Sequence, residues 1–328
     1  MIIVEPCPGQ PYATLVAQAG ETPMDIPQAS FIEAYKKYGA LLLRGFSVGM
    51  DGFRALTERY CASSVFNESP DRGVLDDERN IQTVNFGVDA FPLHPELSRE
   101  PWKPDICFFW CISPPSQAGQ TTICDGVEIV RAMPPEIFEA LKRRRLVYTQ
   151  RMAPEVCAYW LGSATPDDAA LQNPRPGCPY TFTPVNGGVV RSFSRPALHK
   201  PMFSDDLAFG NFILFARYYL GLPNFPTFDG GERISDDLVT VIKDISTPLT
   251  VGVDWRAEDI IILDNTRFMH GRNAITNMEE RTIASYFGYL NFAVPDPEEP
   301  VDAPWRKGSF RPPQPIRPPS AGAGPRVR

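Results

Sequence analysis

Apolar residues recur along this chain in two rhythms. In IPQASFIEAYKKYG they fall at helical spacing and stop at Gly39, as a helix closed by a glycine C-cap would. ALLLRGFSV follows as a short buried strand, and MDGFRALTERYCA as a second helix. Beyond residue 104 the rhythm shortens. DICFFWCIS reads as an aromatic-rich strand, PPSQAG as a turn and QTTICDG as a second strand. A helical pair comes next, GVEIVRAM and PPEIFEALKRR, the latter with proline at its start, where a missing N–H costs nothing. Residues 150–245 combine proline-rich loops, one strand in GGVVRSFSRPAL, and helices in LAFGNFILFARYYLG and SDDLVTVIKDIS. Strand character then returns in TPLTVGVDW, EDIIILDN and RTIASYFGYLNFAV. Two blocks of strands split by a helical stretch predict a mainly β fold with helices. The expected architecture is a double-stranded β-helix (jelly roll) core with flanking helices, one domain over residues 1–294 with a partly helical insert at 150–245. An α/β nucleotide-binding fold is disfavoured, because no glycine-rich loop joins a strand to a helix.

Ten of the thirty-five prolines lie after Val294. Residues 295–328 have little apolar content and no periodicity, which predicts a flexible or surface-draped Pro-rich tail. RPPQPIRPP within it has the form of an SH3-type ligand, though a plain extended tail is the simpler reading.

Composition narrows the function classes. With 43% hydrophobic and 22% charged residues the chain can bury a sizeable core. A net charge of −7 leaves no basic footprint for nucleic acid. No run approaches the roughly 18 consecutive apolar residues of a membrane helix, and MIIVEPCPGQPYATLV lacks the basic start and long apolar run of a signal peptide. Seven cysteines, without regular spacing, suit a reducing compartment, so a cytoplasmic location is expected. Cys107 and Cys111 fall on one face of a strand and read as buried core thiols rather than a metal site.

Only three histidines are present, and one of them, His94, stands two positions before Glu96 in DAFPLHPELSREPWKP. Alone, a His-x-acid pair is weak. The far end of the chain strengthens it. In DIIILDNTRFMHGRNAITNMEERTIASYF a buried strand turns, His270 emerges before Gly271-Arg272, and Arg281 opens the last strong strand. Two neutral imidazoles and one carboxylate can occupy one face of an octahedral Fe(II) and leave three positions open. Spacing i, i+2 suits an extended segment, where alternate side chains point the same way. An arginine nearby can hold a dicarboxylate co-substrate through a bidentate, charge-assisted pair. A zinc hydrolase could also use two histidines and a glutamate, but it would not need Arg281, and His-Glu-x-x-His is absent. A catalytically silent jelly-roll binding protein would keep the fold and usually lose a ligand. None is missing here.

LHPE, AGQTTICDG, DNTRFMHGR and ERTIASYF together resemble the TauD/TfdA (taurine dioxygenase-like, clavaminate synthase-like) family of Fe(II)/2-oxoglutarate-dependent dioxygenases. The family pattern is an iron-binding His-x-Asp/Glu, a threonine about 27 residues on, a distal histidine, and an arginine about 11 after that. Here these positions are His94 and Glu96, Thr121, His270 and Arg281, with 94 to 121 giving 27 and 270 to 281 giving 11. A one-residue slip would exchange Thr121 for Thr122. The resemblance spans roughly residues 30–292. TFDGGERISDDLVTVI is also similar to members that tailor amino acids or carrier-bound natural-product intermediates.

The resemblance implies Fe(II) held by His94, Glu96 and His270, with 2-oxoglutarate anchored by Arg281 and Thr121. Together with O2 these supply oxidation of an unactivated C–H, by hydroxylation, desaturation or a related outcome, while 2-oxoglutarate becomes succinate and CO2. The expected substrate is a small molecule, free or carrier-bound, with no nucleic-acid or membrane partner; the oligomeric state stays open. Taurine dioxygenase carries a second arginine four residues beyond the first, where this chain has Ser285, and no histidine precedes His94, so sulfonates are disfavoured. The retained carboxylate disfavours halogenation. Four further residues are candidates for the substrate side: Arg272, which alternatively braces its turn through Asp264; Arg191 and Arg195, on one face of a strand; and Asn85. His199 reads as structural.

Overall fold

The computed structural model describes residues 1–294, 296–308 and 310–313. Its centre is two facing sheets. The larger has nine strands, with Ala40–Arg44, Ile260–Asp264, Ile106–Ser113 and Thr282–Leu290 adjacent in that order. The smaller has four, Val251–Gly252, Thr121–Asp125, Phe268–Arg272 and Phe91–His94. All pairings among these strands are antiparallel. This is the expected jelly roll.

Period-two alternation sorts each strand between two cores. Cys107, Phe109 and Cys111 point inward with Ile261, Leu263, Ile283 and Phe287, and meet Ile123 and Phe268 of the smaller sheet. Their neighbours Phe108, Trp110, Ile260 and Ile262 point outward, onto Phe31, Tyr35, Phe53 and Leu56 of the helices Gln28–Tyr38 and Gly49–Tyr60. The first of these helices ends as its sequence predicts, on Gly39 at φ 72°, a left-handed position that glycine occupies without a Cβ penalty. Cys124 and Met269, on the outer face of the smaller sheet, pack beneath the helix Asp236–Leu249 through Val239 and Ile242.

Three segments differ from expectation. The 150–245 region holds helices, but its organising unit is a second four-stranded sheet in which Gly188–Pro196 pairs with both Arg145–Arg151 and Thr181–Val185. The strand expected in TPLTVGVDW shrinks to Val251–Gly252, because Thr247, Pro248 and Leu249 complete the preceding helix. Pro248 sits in that helix's last turn, and the helix stops one residue later. The helix expected from LAFGNFILFARYYLG is only Ile213–Tyr218, started by Asn211, whose Oδ1 accepts from Ile213 N.

The segment after Val294 is expected to be flexible or draped over the surface, and its described part packs on the body. Trp305 is 3% exposed within the inter-sheet core, and Phe310 packs against that core. Arg306 donates to both oxygens of Asp105. Of the proline-rich RPPQPIRPP stretch, everything beyond Pro313 lies outside the described residues. Among the described residues, no helix is long and apolar enough to cross a membrane.

Candidate metal centre and cavity

His94 ends one strand of the smaller sheet and lies directly opposite His270 in the register of the next. Directly opposed residues share a face, so both imidazoles project toward the larger sheet, with ring centroids 4.6 Å apart. Gly271 permits the close approach, since a Cβ there would stand 2.4 Å from the Phe91 carbonyl oxygen. Beyond His94 the chain turns through Pro95, and Asn265 clamps the turn. Its Oδ1 accepts from Glu96 N at 2.8 Å, and its Nδ2 donates to the Glu96 and Pro104 carbonyls. The Glu96 side chain is thereby aimed back at the two imidazoles. One ligating atom from each of His94, Glu96 and His270 lies within 4.8 Å of the others, and Glu96 Oε2 is 3.6 Å from His270 Nε2.

The donor set fits a divalent metal. His94 Nδ1 is 2.8 Å from the Pro92 carbonyl, which holds the ring proton there and leaves the Nε2 lone pair free. Burial, and then His270, push the His94 imidazole down to about 3, so it is neutral at physiological pH. Burial alone would raise Glu96, but Arg72, His270 and His94 outweigh it and bring the carboxyl down to about 2, so it is ionised. Asn67 Nδ2 donates to Glu96 Oε1 at 2.6 Å, which leaves Oε2 as the oxygen facing the histidines.

Beside this centre stands Arg281, immediately before the strand Thr282–Leu290 of the larger sheet. Its Nε donates to Gly119 O at 2.7 Å and its Nη2 to Thr121 Oγ1 at 3.3 Å. Thr121 Oγ1 also accepts from Trp255 Nε1. Arg281 is 9% exposed and has no ion pair among the described residues. Burial, followed by the nearby Arg272, lowers it to about 10, which leaves it charged. A buried guanidinium with no carboxylate of its own is suited to an anionic ligand. Thr122 points away, toward Gly271, so the register selects Thr121.

These groups line one cavity of about 340 Å³, near the small end of ligand sites. Its other wall carries Phe91, Phe212, Phe215 and Tyr219, with Phe215 4.4 Å from the His94 ring. Of the four candidates for the substrate side, Asn85 lines the cavity, but its amide is engaged by Arg72 and Ser69. Arg272 also lines it, yet its donors go to the carbonyls of Asn85, Gly87 and Asp89. It braces the loop that leads into the His94 strand. The alternative brace, Asp264, instead accepts from Thr266.

Arg191 and Arg195 share a face as expected but do not line the cavity, and that face is not solvated. Arg191 reaches Glu100 and Gln150, and Arg195 the carbonyls of Glu100 and Pro101, so both support the chain just after Glu96 from behind. His199 is structural, with Nε2 2.6 Å from the Thr266 carbonyl. Sequence reasoning missed Asn67 and Arg72, which lie in the aperiodic VFNESPDRG, and Trp255. It quoted Asn265 within DNTRFMHGR but gave it no role.

The family model for "Taurine catabolism dioxygenase TauD, TfdA family" matches residues 9–285. The chain belongs to that family. It is an Fe(II)/2-oxoglutarate-dependent dioxygenase, which sets aside the zinc hydrolase and the silent binding protein. No curated protein matches it significantly. Solved structures similar to it include PvcB of Pseudomonas aeruginosa (TM-score 0.57, 16% identity, 88% of this chain and 90% of that one), described as an Fe, alpha-ketoglutarate dependent oxygenase from an isonitrile synthetic pathway. Also similar are AAD-2 in complex with Mn(II) and N-oxalylglycine (0.56, 11%, 90% and 100%) and a taurine dioxygenase from Burkholderia xenovorans (0.53, 12%, 86% and 89%). At these identities the likeness is one of fold.

Proposed function

We propose that this dioxygenase binds Fe(II) through His94, Glu96 and His270, anchors 2-oxoglutarate through Arg281 and Thr121, and oxidises an unactivated C–H of a small molecule. An amino acid or a natural-product intermediate, free or carrier-bound, is the favoured substrate class. The observation that carries this reading is the convergence, in one cavity, of the three-residue donor set with a buried arginine that has no ion pair among the described residues.

The protein's own groups divide the work. His94 and His270 offer nitrogen donors, and Glu96 offers a charge held in place by Asn67 and Asn265. Arg281 supplies a planar fork for the far carboxylate of 2-oxoglutarate, and Thr121 a hydroxyl beside it. The aromatic wall and the buried walls of the jelly roll exclude water from the reacting end. When bound, iron, 2-oxoglutarate and O2 supply the oxidising power, and CO2 and succinate leave. Seven unpaired cysteines support a reducing, cytoplasmic setting.

The test is anaerobic addition of Fe(II) and 2-oxoglutarate to the purified protein. A weak visible charge-transfer band is expected at one metal per chain, absent in His270→Ala. Admission of O2 with a substrate should release succinate in step with product. An identical spectrum in His270→Ala would remove that residue from the metal.

A further inference from the structure

Arg72 is a buried cation that the proposed mechanism does not use. It lies between the strands Cys61–Ser64 and Val74–Asp76, its side chain is 7% exposed, and it lines the cavity. Its guanidinium is fixed on three sides. Nε donates to Asn85 Oδ1 at 2.8 Å, Nη1 to Ser285 Oγ at 3.0 Å, and the plane lies over the Phe287 ring at 5.2 Å. These supports are themselves tied down, because Asn85 donates to Ser69 and Ser285 to the Gln82 carbonyl.

Neither hydrogen-bonded support carries charge. Among the described residues Arg72 forms one ion pair, with Glu96, Nη2 to Oε2 at 3.5 Å, at the limit of a hydrogen bond. Oε2 is also the oxygen that faces His270 Nε2, and its charge is claimed by any metal placed there. An arginine has five N–H groups, and three are committed. One remains on each terminal nitrogen. A cation this buried is costly unless an anion meets it. The same cavity carries an apolar wall of Phe91, Phe215 and Tyr219, with the Tyr219 ring 4.7 Å from that of Phe91 and 4.9 Å from that of Phe215.

We infer that Arg72 is the anchor for a carboxylate of the prime substrate, and that the substrate class is a small carboxylic acid with an apolar or aromatic body. The carboxylate takes the two remaining N–H groups, and the body lies along the Phe91–Phe215–Tyr219 wall. The acid end is then held beside Glu96, close to the three-residue donor set. This rests on the proposed function, since it places the substrate relative to that site. One other anion could claim the same fork, the C1 carboxylate of 2-oxoglutarate, and the experiment separates the two.

Full-length protein with Fe(II) and 2-oxoglutarate, kept anaerobic, is titrated calorimetrically with 3-phenylpropanoate and with its neutral isostere 3-phenylpropanamide. A charge-assisted pair predicts a preference for the carboxylate of roughly ten- to a hundredfold in wild type. In Arg72→Gln, measured at Fe(II) and 2-oxoglutarate concentrations that saturate the variant, the preference disappears. Arg72→Lys keeps the charge but loses the fork, so part of the preference remains; it also serves if the glutamine variant does not fold. No carboxylate preference in wild type, including no binding of either compound, overturns the inference. So does a preference that survives in Arg72→Gln. Loss of 2-oxoglutarate affinity in Arg72→Gln would transfer Arg72 to the co-substrate, and loss of Fe(II) affinity with the carboxylate preference intact would leave it only a brace for Glu96. Either result overturns the assignment. If wild type forms no charge-transfer band with Fe(II) and 2-oxoglutarate, it is the function itself that fails, a result visible before either probe is added.

Discussion

The two sides of the cavity are built differently. On the proposed metal and co-substrate side, His94, His270 and Thr121 sit on paired strands of the smaller sheet, and Arg281 immediately precedes a strand of the larger one. Elsewhere in the lining, Asn67 and Arg72 come from a loop, and Phe215 and Tyr219 from the short helix Ile213–Tyr218 and the residue after it. Strand pairing holds side chains to a register, so a donor set that must converge closely is best carried there. Loops and single-turn helices can vary without disturbing the sheets, so they are where substrate choice can change. The division predicts that perturbing strand residues damages the shared chemistry, and that perturbing loop residues alters what is oxidised.

The largest effect should come from Glu96. Glu96→Gln keeps the volume but removes the charge, and should cut succinate release with substrate by orders of magnitude. Turnover at the wild-type rate would remove Glu96 from the metal and dissolve the strand side of the comparison. Next comes Arg281→Lys, which keeps the charge and loses the planar fork. The apparent 2-oxoglutarate affinity should fall by roughly 1.5–3 kcal/mol, the worth of a hydrogen bond to a charged group. Iron affinity measured without co-substrate should barely move. Unchanged 2-oxoglutarate affinity would mean that another cation holds it.

Asn67→Ala tests whether the division is clean, because Asn67 is a loop residue whose amide donates to Glu96 Oε1. Partners that orient a metal ligand are worth roughly 10–100-fold in metal affinity. The low end is expected here, since Asn265 still clamps the Glu96 backbone. A tenfold loss of Fe(II) affinity with unchanged 2-oxoglutarate binding would show the loop reaching into the metal centre. No loss would leave the loop wholly to the substrate.

The same division explains what could be read from the sequence. Buried strands announce themselves by apolar runs, so DICFFWCIS and IIILD were legible, while His94, Glu96, His270 and Arg281 stood out through motifs that resemble the family's. Arg72 was not, because VFNESPDRG has no periodicity and its burial depends on Ser285 and Asn85, distant in sequence. Arg191 and Arg195 were misplaced for a related reason. Their shared face follows from the strand, but whether that face meets solvent, cavity or another loop is decided by Glu100 and Pro101, far along the chain. Trp305 was hidden by composition, since a proline-rich stretch with only two aromatic anchors, Trp305 and Phe310, reads as an extended tail.

The smallest effect is expected at Thr121, and it tests register most directly. Its hydroxyl accepts from Arg281 Nη2 and Trp255 Nε1, both at 3.3 Å, and faces the cavity. Thr122, one residue on, projects to the opposite side against Gly271, as alternation requires. Thr121→Val keeps the shape and removes one hydrogen-bonding group, so 2-oxoglutarate affinity should fall by about 1 kcal/mol, the net value of a single hydrogen bond. Part of that loss is indirect, because the Trp255 N–H is left without its acceptor and Arg281 loses one of its two supports. Thr122→Val should leave 2-oxoglutarate affinity at the wild-type value. Calorimetry with 2-oxoglutarate on the Fe(II)-loaded, anaerobic protein measures both. If Thr122→Val carries the loss and Thr121→Val does not, the strand is one residue out of register, and every inward assignment along it changes face.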